Sequence, residues 1–106
     1  MGILLSLFIS LLQISSTVGI SPLTIRTKVH LDPRFLAGTV CLTWVHEDGE
    51  GSSDCWTVED PPIRTWTKYF TLRTPGVWMV EVTEVGQDVK GKAMSIASPV
   101  QRIEVY

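Results

Sequence analysis

Leu23, Ile25, Thr27, Val29 and Leu31 alternate with Thr24, Arg26, Lys28 and His30. A period of two puts one set on a buried face and the other in water, which predicts a half-buried β-strand over residues 23–31. Asp32-Pro33 ends it, because proline donates no ladder hydrogen bond and restricts the residue before it. Residues 39–46 give the next strand, with Val40, Leu42 and Trp44 opposite Cys41, Thr43 and Val45. The polar run 47–54 predicts a turn-rich loop, and residues 55–59 a short strand stopped by Pro61-Pro62. Residues 64–73 alternate again, with Trp66, Phe70 and Leu72 (Lys68 between them) opposite Thr65, Thr67, Tyr69 and Thr71. After the Pro75-Gly76 turn signal, residues 77–85 set Trp78, Val80 and Val82 against Met79, Glu81 and Thr83. Residues 86–91 are polar and loop-like, and residues 93–106 predict a strand pair or one bent strand interrupted at Pro99. No segment after residue 20 keeps a helical period. The expected fold is therefore all-β, a single antiparallel β-sandwich of about seven strands.

The first nineteen residues break this pattern. Residues 3–12 are apolar apart from Ser6 and Ser10, and no charged side chain precedes Arg26. A ten-residue apolar core fits a secretory signal, whereas a membrane span needs about 20 residues. Thr17 and Gly19 suit the small-residue positions of a cleavage site, so residues 1–19 are expected to be a signal peptide cut before Ile20. The alternative is a retained apolar segment, either an anchor or a strand buried in a partner. The domain would then span residues 20–106, and the positive mean hydropathy of +0.20 is largely an N-terminal effect.

Cys41 and Cys55 are the only cysteines, and after a secretory signal they are expected to form one disulfide. Closing so short a loop contributes about 3 kcal/mol on the loop-entropy argument. His30 and His46 are the other soft ligands, and no spacing matches a zinc motif. Neither a metal nor a cofactor is expected. Glu47, Asp48, Glu50 and Asp54 crowd one loop, which raises calcium as an alternative to a solvated hairpin. Their spacing lacks the alternating ligands and the closing bidentate glutamate of a calcium loop. A slightly acidic net charge of −2 argues against a nucleic-acid binder, which would need a basic face. No serine or cysteine sits in a nucleophile setting with a histidine and an orienting acid, so no catalytic residues are assigned. The chain has no Asn and hence no N-glycosylation site.

The run Thr39-Val40-Cys41-Leu42-Thr43-Trp44, the Cys55-Trp56 pair, residues 75–82 and the closing 98–105 segment resemble immunoglobulin-like and fibronectin type III-like extracellular domains. The resemblance implies an immunoglobulin-like sandwich. The cysteine spacing departs from that of true immunoglobulin domains, and would bridge neighbouring strands around the acidic loop. Two functions follow as expectations. In the first, the chain is a secreted, non-enzymatic structural module resembling a donor-strand fibre subunit. Residues 20–31 would then leave their own sheet and complete a neighbour's, with Leu23, Ile25, Val29 and Leu31 as the interface. In the second, it is a monomeric secreted domain that recognises a protein or carbohydrate through loops of the sandwich. Arg64, Trp66, Lys68 and Tyr69 form a candidate partner patch of aromatic and cationic side chains.

Overall fold

A computed structural model describes residues 11–106, and residues 1–10 of the expected leader lie outside the described residues. In chain order the strands are β1 (Leu12–Ile14), β2 (Val18–Gly19), β3 (Leu23–His30), β4 (Phe35–His46), β5 (Gly51–Val58), β6 (Thr65–Leu72), β7 (Gly76–Asp88), β8 (Ala93–Ala97) and β9 (Gln101–Val105). A three-stranded sheet runs β1-β3-β6, and a larger one runs β2-β9-β7-β4-β5, with β8 also on β7. The described residues contain no helix, and the all-β, two-sheet expectation holds. One pairing, β2 with β9, is parallel rather than antiparallel.

The period-two sets become the core. Ile25, Val29, Phe70 and Leu72 of the small sheet are buried, as are Val40, Leu42, Val58, Trp78, Val80, Val82, Ile103 and Val105 of the large one. Each fully buried aliphatic or aromatic side chain contributes about 1.5–3 kcal/mol. Trp44 stacks on Phe70 across the sheets at 4.6 Å between ring centroids. Thr27, in an apolar row, is buried without penalty because its hydroxyl donates to the Lys68 carbonyl at 2.8 Å.

Several strand ends differ from the sequence expectation. The loop expected over residues 47–54 is a tight turn after His46. The His46 N–H donates to the Glu50 carbonyl at 2.6 Å, and β5 already starts at Gly51. Ser52, Ser53 and Asp54 have low strand preference, but the ladder to β4 overrides it. β7 likewise runs through Gly86 and Gln87 to Asp88, where a loop was expected, because β4 and β8 pair with it on both sides. The Asp88 carboxylate then closes the turn by accepting from the Lys90 and Lys92 N–H groups. The 93–106 segment does bend: β8 and β9 share one edge of β7, and Ser98 between them exchanges two hydrogen bonds with the Val82 backbone. Where β4 shifts register between Phe35 and Ala37, two glycines, Gly38 and Gly86, face one another across the ladder.

Residues 11–19 are built into both sheets. Leu12 is fully buried beside Val29, its strand partner, and its carbonyl accepts from the Gln101 side chain. The carbonyls of Thr17 and Gly19 accept from the Glu104 and Tyr106 N–H groups. The expected cleavage point before Ile20 falls just after these pairings.

Candidate functional surfaces

Cys41 and Cys55 are direct partners in the β4–β5 register and form the expected disulfide on the outer face of the large sheet. The link therefore staples neighbouring strands of one sheet around the tight turn.

The four acidic residues of the 47–54 stretch do not converge. Asp48 caps the turn, accepting from the Glu50 N–H at 2.9 Å and lying 2.8 Å from His46 Nδ1. Glu50 accepts from the Thr74 hydroxyl, while Asp54 faces the other sheet and meets Lys68 at 3.7 Å. Among the described residues no three acidic, histidine or cysteine side chains are grouped to hold a metal ion.

The expected patch of Arg64, Trp66, Lys68 and Tyr69 is divided among three places. Arg64 turns to the β3–β4 connection and donates to the Phe35 carbonyl at 2.6 Å. Trp66 and Lys68 face inward at the open side of the sandwich, where Trp66 meets Trp56 and the Lys68 ammonium sits 4.4 Å from the Trp56 ring centre. Only Tyr69 is on the outer face, well exposed beside Arg26, its register partner on β3. Alternation decides this: 66 and 68 share a parity with the buried Phe70, whereas 69 does not.

The expected strand-addition residues are also placed. Ile25, Val29 and Leu31 are buried, Leu23 is half-buried, and β3 is the central strand of its sheet. It pairs with β6 along all eight residues and with β1 at residues 27–29. The edge strands are β1 and β6 in the small sheet and β2 and β5 in the large one. Two of them carry an inward-pointing charge, Asp54 on β5 and Lys68 on β6, and those two charges meet each other. An inward charge on an edge strand opposes the docking of another strand, which would bury it without a partner.

Comparison with known proteins gave no match. No family model, curated protein or solved structure matches the chain.

Two exposed faces remain. The outer face of the large sheet carries Val45 and Met79 as register partners, with Val18 and Val85 farther along it, all at least 39% exposed. Thr39, Thr43, Thr83 and the disulfide lie among them, and its charges include Glu81 and an Arg102–Glu104 ion pair. The outer face of β1-β3-β6 is polar and hydroxyl-rich.

Sequence reading missed a third feature, a carboxylic acid in the core. Glu84 continues the inward row of Trp78, Val80 and Val82 and is fully buried. Its Oε1 accepts from the Asp32 N–H at 3.0 Å, and its Oε2 has no hydrogen-bond partner. Burial raises its pKa above the ordinary 4.5, with the Asp32 amide bond pulling the other way. At the far end, His46 is 6% exposed, packs edge-on against Trp78 and places Nε2 at 2.8 Å from the Pro75 carbonyl. That bond raises its pKa above 6.5, against the opposing effect of burial.

Both groups take up protons on folding. Their contribution is complete below the unfolded values and is lost as pH rises through the raised folded ones. Asp32, lowered by its bond to Arg34, and Asp48, lowered by the Glu50 amide, act oppositely: they weaken the fold as pH falls through their lowered values. Stability is therefore expected to peak in mildly acidic solution and decline toward alkaline pH. Melting midpoints across pH check this, and Glu84→Gln is expected to flatten the decline above the ordinary glutamate range. An unchanged profile in that variant would remove Glu84 as the cause.

Proposed function

We propose that the chain is a non-enzymatic extracellular recognition domain with an immunoglobulin-like sandwich, monomeric on its own, that binds a protein partner through an exposed sheet face. The observation that carries this reading is the position of β3. In the chain that keeps residues 11–19, the strand that would be donated pairs with β6 along all eight residues and with β1 at residues 27–29, and its Ile25 and Val29 are fully buried. Releasing it would break the β6 ladder and expose that core row, a cost of several kcal/mol. The inward charges on β5 and β6 also disfavour receiving a strand at those two edges.

The side chains suited to acid–base or nucleophilic chemistry are engaged in holding the fold. His30 contacts Gln13 and Thr65, His46 is bonded at both ring nitrogens, and both cysteines are in the disulfide. The disulfide supports an oxidising, extracellular setting. No helix among the described residues is long and apolar enough to cross a membrane. For binding, the large sheet's outer face offers the exposed Val45 and Met79 with few charges around them, and depletion of charge marks the centre of protein interfaces. Amide hydrogen exchange tests the monomeric reading. The Ile25, Thr27 and Val29 amides are expected to exchange only with global unfolding, at a rate independent of protein concentration. Exchange that changes with concentration in β3 alone would favour strand donation.

A further inference from the structure

We infer that the outer face of β1-β3-β6 is a binding site for a sulfated polysaccharide. Arg26 and Lys28 stand two residues apart on the outward side of β3, about 7 Å from each other along the strand. Both are exposed, and neither makes an ion pair or side-chain hydrogen bond to a described residue. Their neighbours on this face are Gln13 and Ser15 on one side and Thr67, Tyr69 and Thr71 on the other. None of these is acidic. In a chain of net charge −2, a face with two unpaired cations and no carboxylate is a local reversal of sign. It attracts an anion, and the attraction weakens with salt.

The shape and the remaining chemistry narrow the partner. A shallow open groove of about 180 Å³ lies between β1 and β3, lined by Gln13, Ile14, Ser15, Arg26 and Lys28. The Arg26 guanidinium fork and the Lys28 ammonium among its lining side chains suit sulfate oxygens, which accept several charge-assisted hydrogen bonds at once. The surrounding hydroxyls and the Gln13 amide are donors and acceptors matched to sugar hydroxyls, and the exposed Tyr69 ring offers an apolar surface to a sugar's C–H face. A lipid surface fits less well, because the face projects no aliphatic side chain to enter the acyl region. Two cations spaced along one strand suit two sulfates of an extended polymer better than one compact ion.

Titrating the full chain with heparin by calorimetry tests this. Binding is expected at low salt and is expected to fall as salt rises. Arg26→Thr with Lys28→Thr is expected to weaken it about tenfold per cation removed, with the melting midpoint retained. Lys90→Thr with Lys92→Thr makes the same change of net charge in the β7–β8 turn and is expected to leave binding unchanged. Gln13→Glu, which adds a carboxylate beside Lys28 while keeping both cations, is expected to weaken it as well. The inference is overturned if heparin fails to bind, if the turn variant loses as much affinity as the β3 variant, or if desulfated heparin binds equally. Stronger binding to phosphatidylserine vesicles or single-stranded DNA than to heparin would overturn it too.

Discussion

Gly86→Ala is expected to destabilise the fold by about 3 kcal/mol, the upper part of the range for forcing atoms into a filled site. A Cβ on Gly86 would stand 2.0 Å from the Ala37 carbonyl oxygen and 2.7 Å from the Gly38 Cα. Both obstacles are backbone, so no rotamer change relieves the clash. The reverse substitution meets the same wall, since a Cβ on Gly38 would lie 2.2 Å from the Val85 carbonyl. The approach arises from the register shift at Phe35/Ala37, which brings the two backbones together where neither strand has a side chain. For a domain of this size the loss corresponds to a fall of about 15 °C in melting midpoint. Gly91→Ala serves as the comparison, because a Cβ there meets nothing within 4 Å and only its positive φ of 79° opposes the change. A loss at 86 no larger than at 91 would show that the two backbones can part to admit a Cβ and that the close approach is not limiting.

A chain beginning at Ile20 is expected to be less stable than the full chain by about 3 kcal/mol. Truncation removes Leu12 from the core and leaves a void beside Val29, whose cost falls in the range for deleting a buried leucine. It also frees the His30 N–H, which donates to the Leu11 carbonyl, and the Glu104 and Tyr106 N–H groups that pair with Thr17 and Gly19. Chemical denaturation of the two chains measures the difference. The same cut uncovers the edge of β3 at residues 27–29, where β1 had paired. The shortened chain is thus expected to self-associate more readily than the full one, since an unpaired strand edge templates pairing. Identical stability and identical sedimentation of the two forms would show that residues 11–19 contribute nothing to the fold.

Much of the sandwich was legible because alternation is a direct consequence of one wet and one dry face. Residues 23–31, 65–72 and 77–85 announced their inward rows, and Thr27 declared its place by parity alone. The strand ends were less legible. Ser52 to Asp54 and Gly86 to Asp88 look like loop locally and are extended only because partners lie alongside. Glu84 was available in principle, since it continues the row of Trp78, Val80 and Val82. The expected strand included it, but a carboxylate is not expected to extend a buried row, so the inward set stopped at Val82. The residues of the patch around Trp66 lie apart for the opposite reason: sequence proximity joined residues that a period of two separates. The meeting of Lys68 and Asp54 depends on how the sheets stack, which no local pattern encodes.

Sedimentation velocity of the full chain, from micromolar to near-millimolar concentration, tests the monomeric recognition domain most directly. One species at the 11.8 kDa monomer mass throughout is the expected result. Polymers that grow with concentration, and that vanish when residues 20–31 are deleted, would contradict it and restore strand donation as the function.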